Sequence, residues 1–298
     1  MEMSVFRTKV QRAVREALGE GYAVELKEVQ KNNGVTLQGI MICREQDNVM
    51  PTIYLNTFLK AYEEGVTFAD IIQKIVTIYR EDVIGKKIDV SFFGEFDKVK
   101  DRICFRLVNR EKNRTILDKM PYIPILDLAA CFFYAFEGEG VENGMIPIYS
   151  THLTNWKVTD RDLFDCAVKN TPRIFPCSIM SMESALKELL EELKKEMDQP
   201  FEQTVPMYVL TNSRKTYGAC SILYPKVLEQ LAERVDDNYY LIPSSVHEFI
   251  LIPEKKGRSE DELKQMITEV NSTEVAPEEI LSDQLYLYSR KERRVKIL

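Results

Sequence analysis

Ser244, Ser245, His247 and Glu248 stand within five positions, in the run Pro243-Ser-Ser-Val-His-Glu248. Hydroxyl, imidazole and carboxylate are the parts used in nucleophilic and general acid–base catalysis. His247 is one of only two histidines in the 298 residues, the other being His152. Upstream, Cys220 follows Gly218 at the start of an apolar helical pattern, where a helix start favours thiolate. A hydrolase or transferase built on this chain would use His247 with Ser244 or Cys220. Two features weigh against it. The Gly-x-Ser-x-Gly elbow is missing, and Ser244 and His247 would have to converge within one short turn. Serines after proline ordinarily make turn hydrogen bonds, a His-Glu pair is a common polar strand start, and Cys220 suits a core as a small thiol. No catalytic residue is therefore assigned. The same segment instead supplies an expected ligand or partner surface, Tyr208, Asn212, Tyr240, Ser244 and His247, at strand ends where a scaffold fixes groups yet leaves them accessible.

The elements that would position these groups are legible. Met207 to Thr211 is an apolar strand, and Asn212 opens a turn that closes at Gly218. A helix follows that buries Ile222, Leu223, Val227, Leu228, Leu231 and Val235, with Pro225 tolerated near its first turn. Asp236-Asp237-Asn238 ends it, and Tyr239 to Ile242 and Phe249 to Ile252 are strands on either side of the serine–histidine turn. The whole is a strand–helix–strand–strand unit.

Upstream, Val10, Val14 and Leu18 recur at spacing four, and Gly19 and Gly21 stop that helix. Tyr22 to Val29 and Val35 to Cys43 flank Lys31-Asn32-Asn33-Gly34, an Asn-Gly tight-turn signal, and Thr52 to Leu55 extends the sheet. Thr67 with Asp70 opens an apolar helix as a capping box. After Gly85 the pattern predicts a short helix, a strand at Ile103 to Val108, a helix near Glu111 to Asp118 and a buried strand ending at Phe136. The acidic, glycine-rich run Glu137 to Gly144 is the expected internal boundary. A strand from Met145 to Ser150, a helix capped by Thr159 and Asp162, and a strand from Cys177 to Met182 come next. A helix then holds Leu186, Leu189, Leu190, Leu193 and Met197 on one face. Pro200 to Pro206 is a linker. The tail carries a helix capped by Ser259 and Glu262, then a strand-like end. The fold class expected is α+β, with a mixed, mostly antiparallel sheet and packed helices. It forms one large domain or two lobes, 1–138 and 145–298.

Composition narrows the function classes. Hydrophobic residues make up 45% and charged residues 29%, near globular averages. The longest apolar run, Leu126 to Phe136, is too short to cross a bilayer, and the first residues read as a helix without a signal region, so a cytoplasmic protein away from membranes is expected. Six scattered cysteines without a Cys-x-x-Cys fit reduced thiols rather than disulfides or zinc ribbons. No phosphate-binding loop occurs, and Gly138-x-Gly140-x-x-x-Gly144 has the wrong spacing and carries acids where a pyrophosphate would sit. Two histidines leave no multi-histidine metal site, and no cofactor is expected. A net charge of −7 argues against a duplex-binding protein. Arg290, Lys291, Arg293, Arg294 and Lys296 could touch nucleic acid, but such charge on a terminal strand protects an exposed edge. Lys98, Lys100, Arg102, Arg106, Lys112 and Arg114 form a second basic region, near Asn109 and Asn113, which read as turn residues. A protein or small-molecule partner of unknown identity is the expectation.

Several segments together resemble an uncharacterised family, a domain of unknown function widespread in clostridial gut bacteria. They are MYVLTN from Met207, YYLIPSSVHEFILIP from Tyr239, the run from Val99 to Ala129, and WKVTDRDLFDCAVKNT from Trp156. That last piece is also similar to the YtpQ-like family, in which a tryptophan precedes a helix ending in Ala-x-x-Asn, here Trp156, Ala167 and Asn170. The resemblance extends from about residue 5 to about residue 255. It implies a bacterial α+β protein without an assigned activity.

Overall fold

Phe6, Val10 and Val14 recur every four residues, and all three are buried along one side of helix α1 (Met3–Leu18). The helix stops at Gly19, whose φ of +84° is open to glycine and strained for any residue with a β carbon. The computed structural model describes residues 1–44, 52–83, 91–138, 141–192, 206–256 and 258–298. Gly85, Gly140, Leu193, Met197 and all of the proline-flanked linker but Pro206 lie outside them. The chain divides into two compact units, Met1–Ser91 with Glu137–Glu142, and Phe92–Phe136 with Asn143–Leu298.

In the first unit β1 (Ala23–Gln30), β2 (Thr36–Cys43) and β3 (Thr52–Tyr54) form an antiparallel sheet in that order. The β1–β2 turn needs two successive left-handed residues, and Asn33 (φ 59°) and Gly34 (φ 72°) supply them. Helix α2 (Asn56–Glu63) has no counterpart in the sequence expectation because eight residues are too few to show a period. Helix α3 (Phe68–Val83) begins at the expected Thr67–Asp70 pair. The Asp70 N–H donates to Thr67 Oγ1 at 3.2 Å and the Thr67 hydroxyl to Asp70 Oδ2 at 2.6 Å. Ile71, Ile75 and Tyr79 of α3 close the core against α1 and the sheet.

The second unit starts with α4 (Phe96–Val99), β4 (Ile103–Asn109), α5 (Arg114–Leu117), β5 (Tyr122–Ile125), β6 (Leu128–Gly138) and β7 (Val141–Pro147). The sheet order is β4-β6-β5, with β7 also on β6. Because β4 pairs with β6 from Ile103↔Tyr134 to Asn109↔Leu128, these strands share one unit. The apolar run from Leu126 is not all strand. Leu126 sits 39% exposed at φ +56° in a two-residue turn with Asp127, and Ile125 pairs with Leu128.

Helices α6 (Ser150–Trp156) and α7 (Asp160–Ile174) follow, so Ser150 starts a helix rather than ending a strand. The Thr159–Asp162 box opens α7 as expected. Then come β8 (Cys177–Ser181), α8 (Met182–Glu192), β9 (Tyr208–Asn212), a 3-10 turn (Gly218–Leu223) and α9 (Val227–Val235). The chain ends with β10 (Tyr239–Ser245), β11 (Glu248–Pro253), α10 (Glu260–Thr273), β12 (Tyr286–Ser289) and β13 (Arg294–Ile297). The single helix expected after Gly218 is two pieces. Pro225 lacks an N–H and disfavours helical geometry in the residue before it; Tyr224 is extended (ψ 137°) and Lys226 takes φ +65°.

Strands β13-β12-β10-β11-β9-β8 make a six-stranded sheet with registered antiparallel pairings. Alternation gives it two apolar faces. Leu210, Phe249, Leu251, Tyr239 and Tyr286 join the large core with Phe105, Phe132 and Trp156. On the opposite face Tyr240, Ile242, Ile252 and Leu287 pack under Leu263 and Ile267 of α10. The basic C-terminal cluster lies on edge strand β13 and the turn before it, where Arg290 pairs with Asp236 and Arg294 with Glu292. In the second basic region Lys98, Lys100, Lys112 and Arg114 pair with Glu95, Asp97, Asp283 and Glu111.

Asn170 of α7 ties the helix to the turn entering β4, its Nδ2 donating to the carbonyls of Lys100 (2.7 Å) and Ile103 (3.0 Å). Asn170→Ala strands both and is expected to destabilise the protein by about 1–3 kcal/mol, measured as a lowered urea midpoint. An unchanged midpoint would contradict this role.

Candidate functional site

His247 occupies a two-residue turn with Val246 between β10 and β11, since Ser245 pairs with Glu248. Its backbone N–H donates to Ser245 Oγ at 3.0 Å, as expected of a turn serine. Its ring Nδ1 accepts the Tyr217 N–H at 3.1 Å, which leaves the ring proton on Nε2, 3.6 Å from Glu279 Oε1. Its carbonyl accepts the Thr211 hydroxyl at 2.8 Å. Gly218 shows why the chain comes so close here. A β carbon there would lie 2.2 Å from Thr211 Oγ1 and 2.6 Å from both the Asn212 nitrogen and the His247 oxygen. The Tyr217 ring leans on the imidazole at 5.6 Å and carries the Arg106 guanidinium 4.8 Å from its centroid. His247 thus fastens the turn after β9 to the hairpin.

The other candidate residues serve different places. Asn212 is only 2% exposed. Its Oδ1 accepts the N–H groups of Arg214 (3.0 Å) and Thr216 (3.4 Å), and its Nδ2 donates to the Thr216 carbonyl at 2.8 Å, which staples the loop. Tyr240 is buried under α10, and Tyr208 packs against the large core. Cys220 is buried beside Tyr224 Oη at 3.8 Å, and burial pushes its thiol from the ordinary 9.0 up to about 12, away from thiolate. The Ser244 hydroxyl donates to Glu248 Oε1 at 3.3 Å, while His247 Nδ1 is taken by Tyr217. Neither a Ser244–His247 nor a Cys220–His247 hydrogen bond is formed. His152 parallels His247: its Nδ1 accepts the Tyr149 N–H at 3.0 Å at the start of α6, and burial holds its imidazole below the usual range.

A cavity of about 400 Å³ lies where α8 crosses the face of the six-stranded sheet. Strand alternation places Val209 and Thr211 of β9, and Glu248 and Ile250 of β11, on that face. Met180 and Met182 close one end, and Leu186 and Leu189, from the apolar stripe of α8, form the roof. Lys215 Nζ pairs with Glu188 Oε1 at 3.1 Å across the rim. Ser244 borders this cavity through its bond to Glu248. The α8 stripe is a sequence signal for the roof; the floor joins residues from three strands and has no local signature. A second cleft, of about 350 Å³, holds Lys100, Asp162, Asp165, Cys166 and Lys169. Its charges are largely engaged, Asp162 as the α7 cap, Asp165 with Arg161 and Lys100 with Asp97. Among the described residues no group of three or more His, Cys, Asp or Glu side chains is placed to hold a metal ion. No helix there is long and apolar enough to cross a membrane.

The model of a family of unknown function, DUF5688, matches residues 3–290. The chain belongs to that family. No curated protein and no solved structure matches it. The site of this DUF5688 protein therefore has to be read from its own geometry.

Two outcomes follow from that geometry. His247→Ala removes the acceptor of the Tyr217 N–H and is expected to cost about 1–3 kcal/mol. His247→Asn, whose amide oxygen reaches a similar position, is expected to recover part of it; equal midpoints for all three proteins would refute the fastening role. The thiols give a pH signature. Burial raises Cys177 to about 11, and Cys104 and Cys220 to about 12, in the folded protein. The unfolded chain sheds these protons first, so their stabilising contribution is complete below pH 9 and is lost as pH rises through 11 to 12. Urea midpoints measured at pH 8 and pH 10.5 are expected to fall less in Cys220→Ala than in wild type, and parallel falls would contradict it.

Proposed function

We propose that this DUF5688 protein is a non-catalytic binding protein that receives a small apolar ligand between α8 and the six-stranded sheet. The observation that carries the proposal is the division of the cavity wall. Met180, Met182, Leu186, Leu189, Val209 and Ile250 are apolar, while Glu188, Lys215 and Glu248 supply the charged groups. A concave, mostly apolar surface with a few fixed polar groups is the usual form of a small-molecule site. The two methionines favour it further, because unbranched thioethers adapt to different ligand shapes. Burial of Cys220 and the separate engagements of Ser244 and His247 speak against a nucleophile–histidine pair. The placement of the C-terminal basic residues on an edge strand and its turn, two of them ion-paired, speaks against a nucleic-acid face. We propose a bacterial cytoplasmic location, supported by six cysteines that are all free thiols. Kinship with YtpQ-like proteins is part of the same proposal, supported by Trp156, which donates to the Phe93 carbonyl, and by the Asn170 bridge.

N-phenyl-1-naphthylamine, uncharged at neutral pH and fluorescent in apolar surroundings, tests the site. Wild type is expected to bind it saturably with one site per chain, and Val209→Trp, which fills the floor, to abolish binding while the circular-dichroism spectrum stays native. Binding that persists in a folded Val209→Trp would overturn the proposal. A serine- or cysteine-directed activity probe that labels wild type but not His247→Ala would instead establish the hydrolase or transferase alternative.

A further inference from the structure

Among the described residues, Glu248 is the charged group of the cavity that has no cation paired with it. It projects from β11 on the same face as Ile250, two residues away, and its bonded partner is the Ser244 hydroxyl at 3.3 Å. The Lys215 ammonium on the rim is committed to Glu188 at 3.1 Å. Among the described residues the cavity therefore carries two carboxylates and one ammonium, and the surplus negative charge shares its lining with Met180, Met182, Val209 and Ile250. A carboxylate has four acceptor sites, of which the serine fills one. In apolar surroundings the remainder are best satisfied by a cationic donor, which makes a shorter and stronger bond than a neutral one.

Resting on the binding function proposed above, we infer that the ligand is a primary amine in its protonated form, with an apolar body about the size of a bicyclic ring or a medium alkyl chain. The body fills the space between Leu186, Leu189, Val209 and Ile250, and the ammonium donates to Glu248. Ser244 is then a positioning residue, since its hydroxyl orients the carboxylate without reaching the ligand. An anionic or neutral ligand of the same shape leaves Glu248 unpaired and binds more weakly, which makes Glu248 the specificity-determining residue.

Dansylcadaverine, an aromatic body ending in a primary ammonium, and N-pentyl dansylamide, the same body ending in methyl, separate these terms. Wild type is expected to bind the amine at least roughly tenfold more tightly than the methyl compound. Glu248→Gln is expected to remove that preference while leaving the methyl compound's affinity within about twofold. Ser244→Ala is expected to reduce the preference only in part. Rising salt should weaken the amine and not the methyl compound. Equal affinities for the two compounds in wild type, or a preference that survives Glu248→Gln, would overturn the inference. In either case unchanged N-phenyl-1-naphthylamine binding that remains sensitive to Val209→Trp would leave the binding function standing. Loss of that sensitivity would remove both.

Discussion

At Gly218 three backbone segments meet with no room for a side chain. The 3-10 turn, the end of β9 and the carbonyl of His247 converge so closely that a β carbon would overlap Thr211 Oγ1 at 2.2 Å. That approach fixes the depth at which the β10–β11 turn sits against β9. From it follow the Thr211–His247 bond, the Tyr217–His247 bond and the buried seat of Cys220. The polar residues around it act as a clasp. Asn212 supplies three hydrogen bonds within its own loop, and Ser221 donates to the Thr211 carbonyl at 3.0 Å. Buried polar groups must find partners, and here they find them in one another.

With β9 and β11 held in register, the six-stranded sheet presents two apolar faces, and each needs cover. One face merges into the large core through Phe249, Leu251 and Tyr286. The other is shared by two helices. Helix α10 seals its half through Leu263 and Ile267, both buried. Helix α8 spans the second half less completely, with Leu189 still 49% exposed, and the uncovered remainder is the cavity. A further polar seam meets the sheet at β12, where Asp127 accepts hydroxyls from Ser282 at 2.6 Å and Tyr286 at 2.7 Å. The candidate site is thus a consequence of unequal cover over a two-sided sheet, and Glu248 is the charged residue that the sheet itself contributes to its lining.

Much of the fold was legible because its signals are short. Thr159–Asp162 and Ser259–Glu262 form the capping boxes their spacing announces, the Asp70 N–H caps onto Thr67, and the Asn33-Gly34 turn sets the β1–β2 hairpin. Structure and local signal part where local rules compete. Pro225 looked tolerable near a helix start, but its ring divides the segment in two. The apolar run from Leu126 reads as one strand, yet Leu126 and Asp127 form the β5–β6 turn, with Leu126 at positive φ. Helices α2 and α6 are too short for periodicity to reveal.

The proposed site divides in the same way. Residue types and spacing determined that this is an α+β protein, where its helices start, and that the segment from Met207 onward contains two strands joined through a serine–histidine turn. They also singled out Ser244, Asn212 and His247, without distinguishing a side chain that contacts a ligand from one that holds a loop. That distinction is tertiary. Whether His247 faces Ser244 or Tyr217 depends on how closely β9 approaches the hairpin, which Gly218 permits from nearly thirty residues away. Whether Glu248 meets solvent, a lysine or an apolar cavity depends on α8, which crosses the sheet from a part of the chain some sixty residues earlier. Hydrogen-bond patterns reach three or four residues along a chain and are written in it. Burial and charge pairing act between whatever the fold brings together, and only the folded sheet decides that.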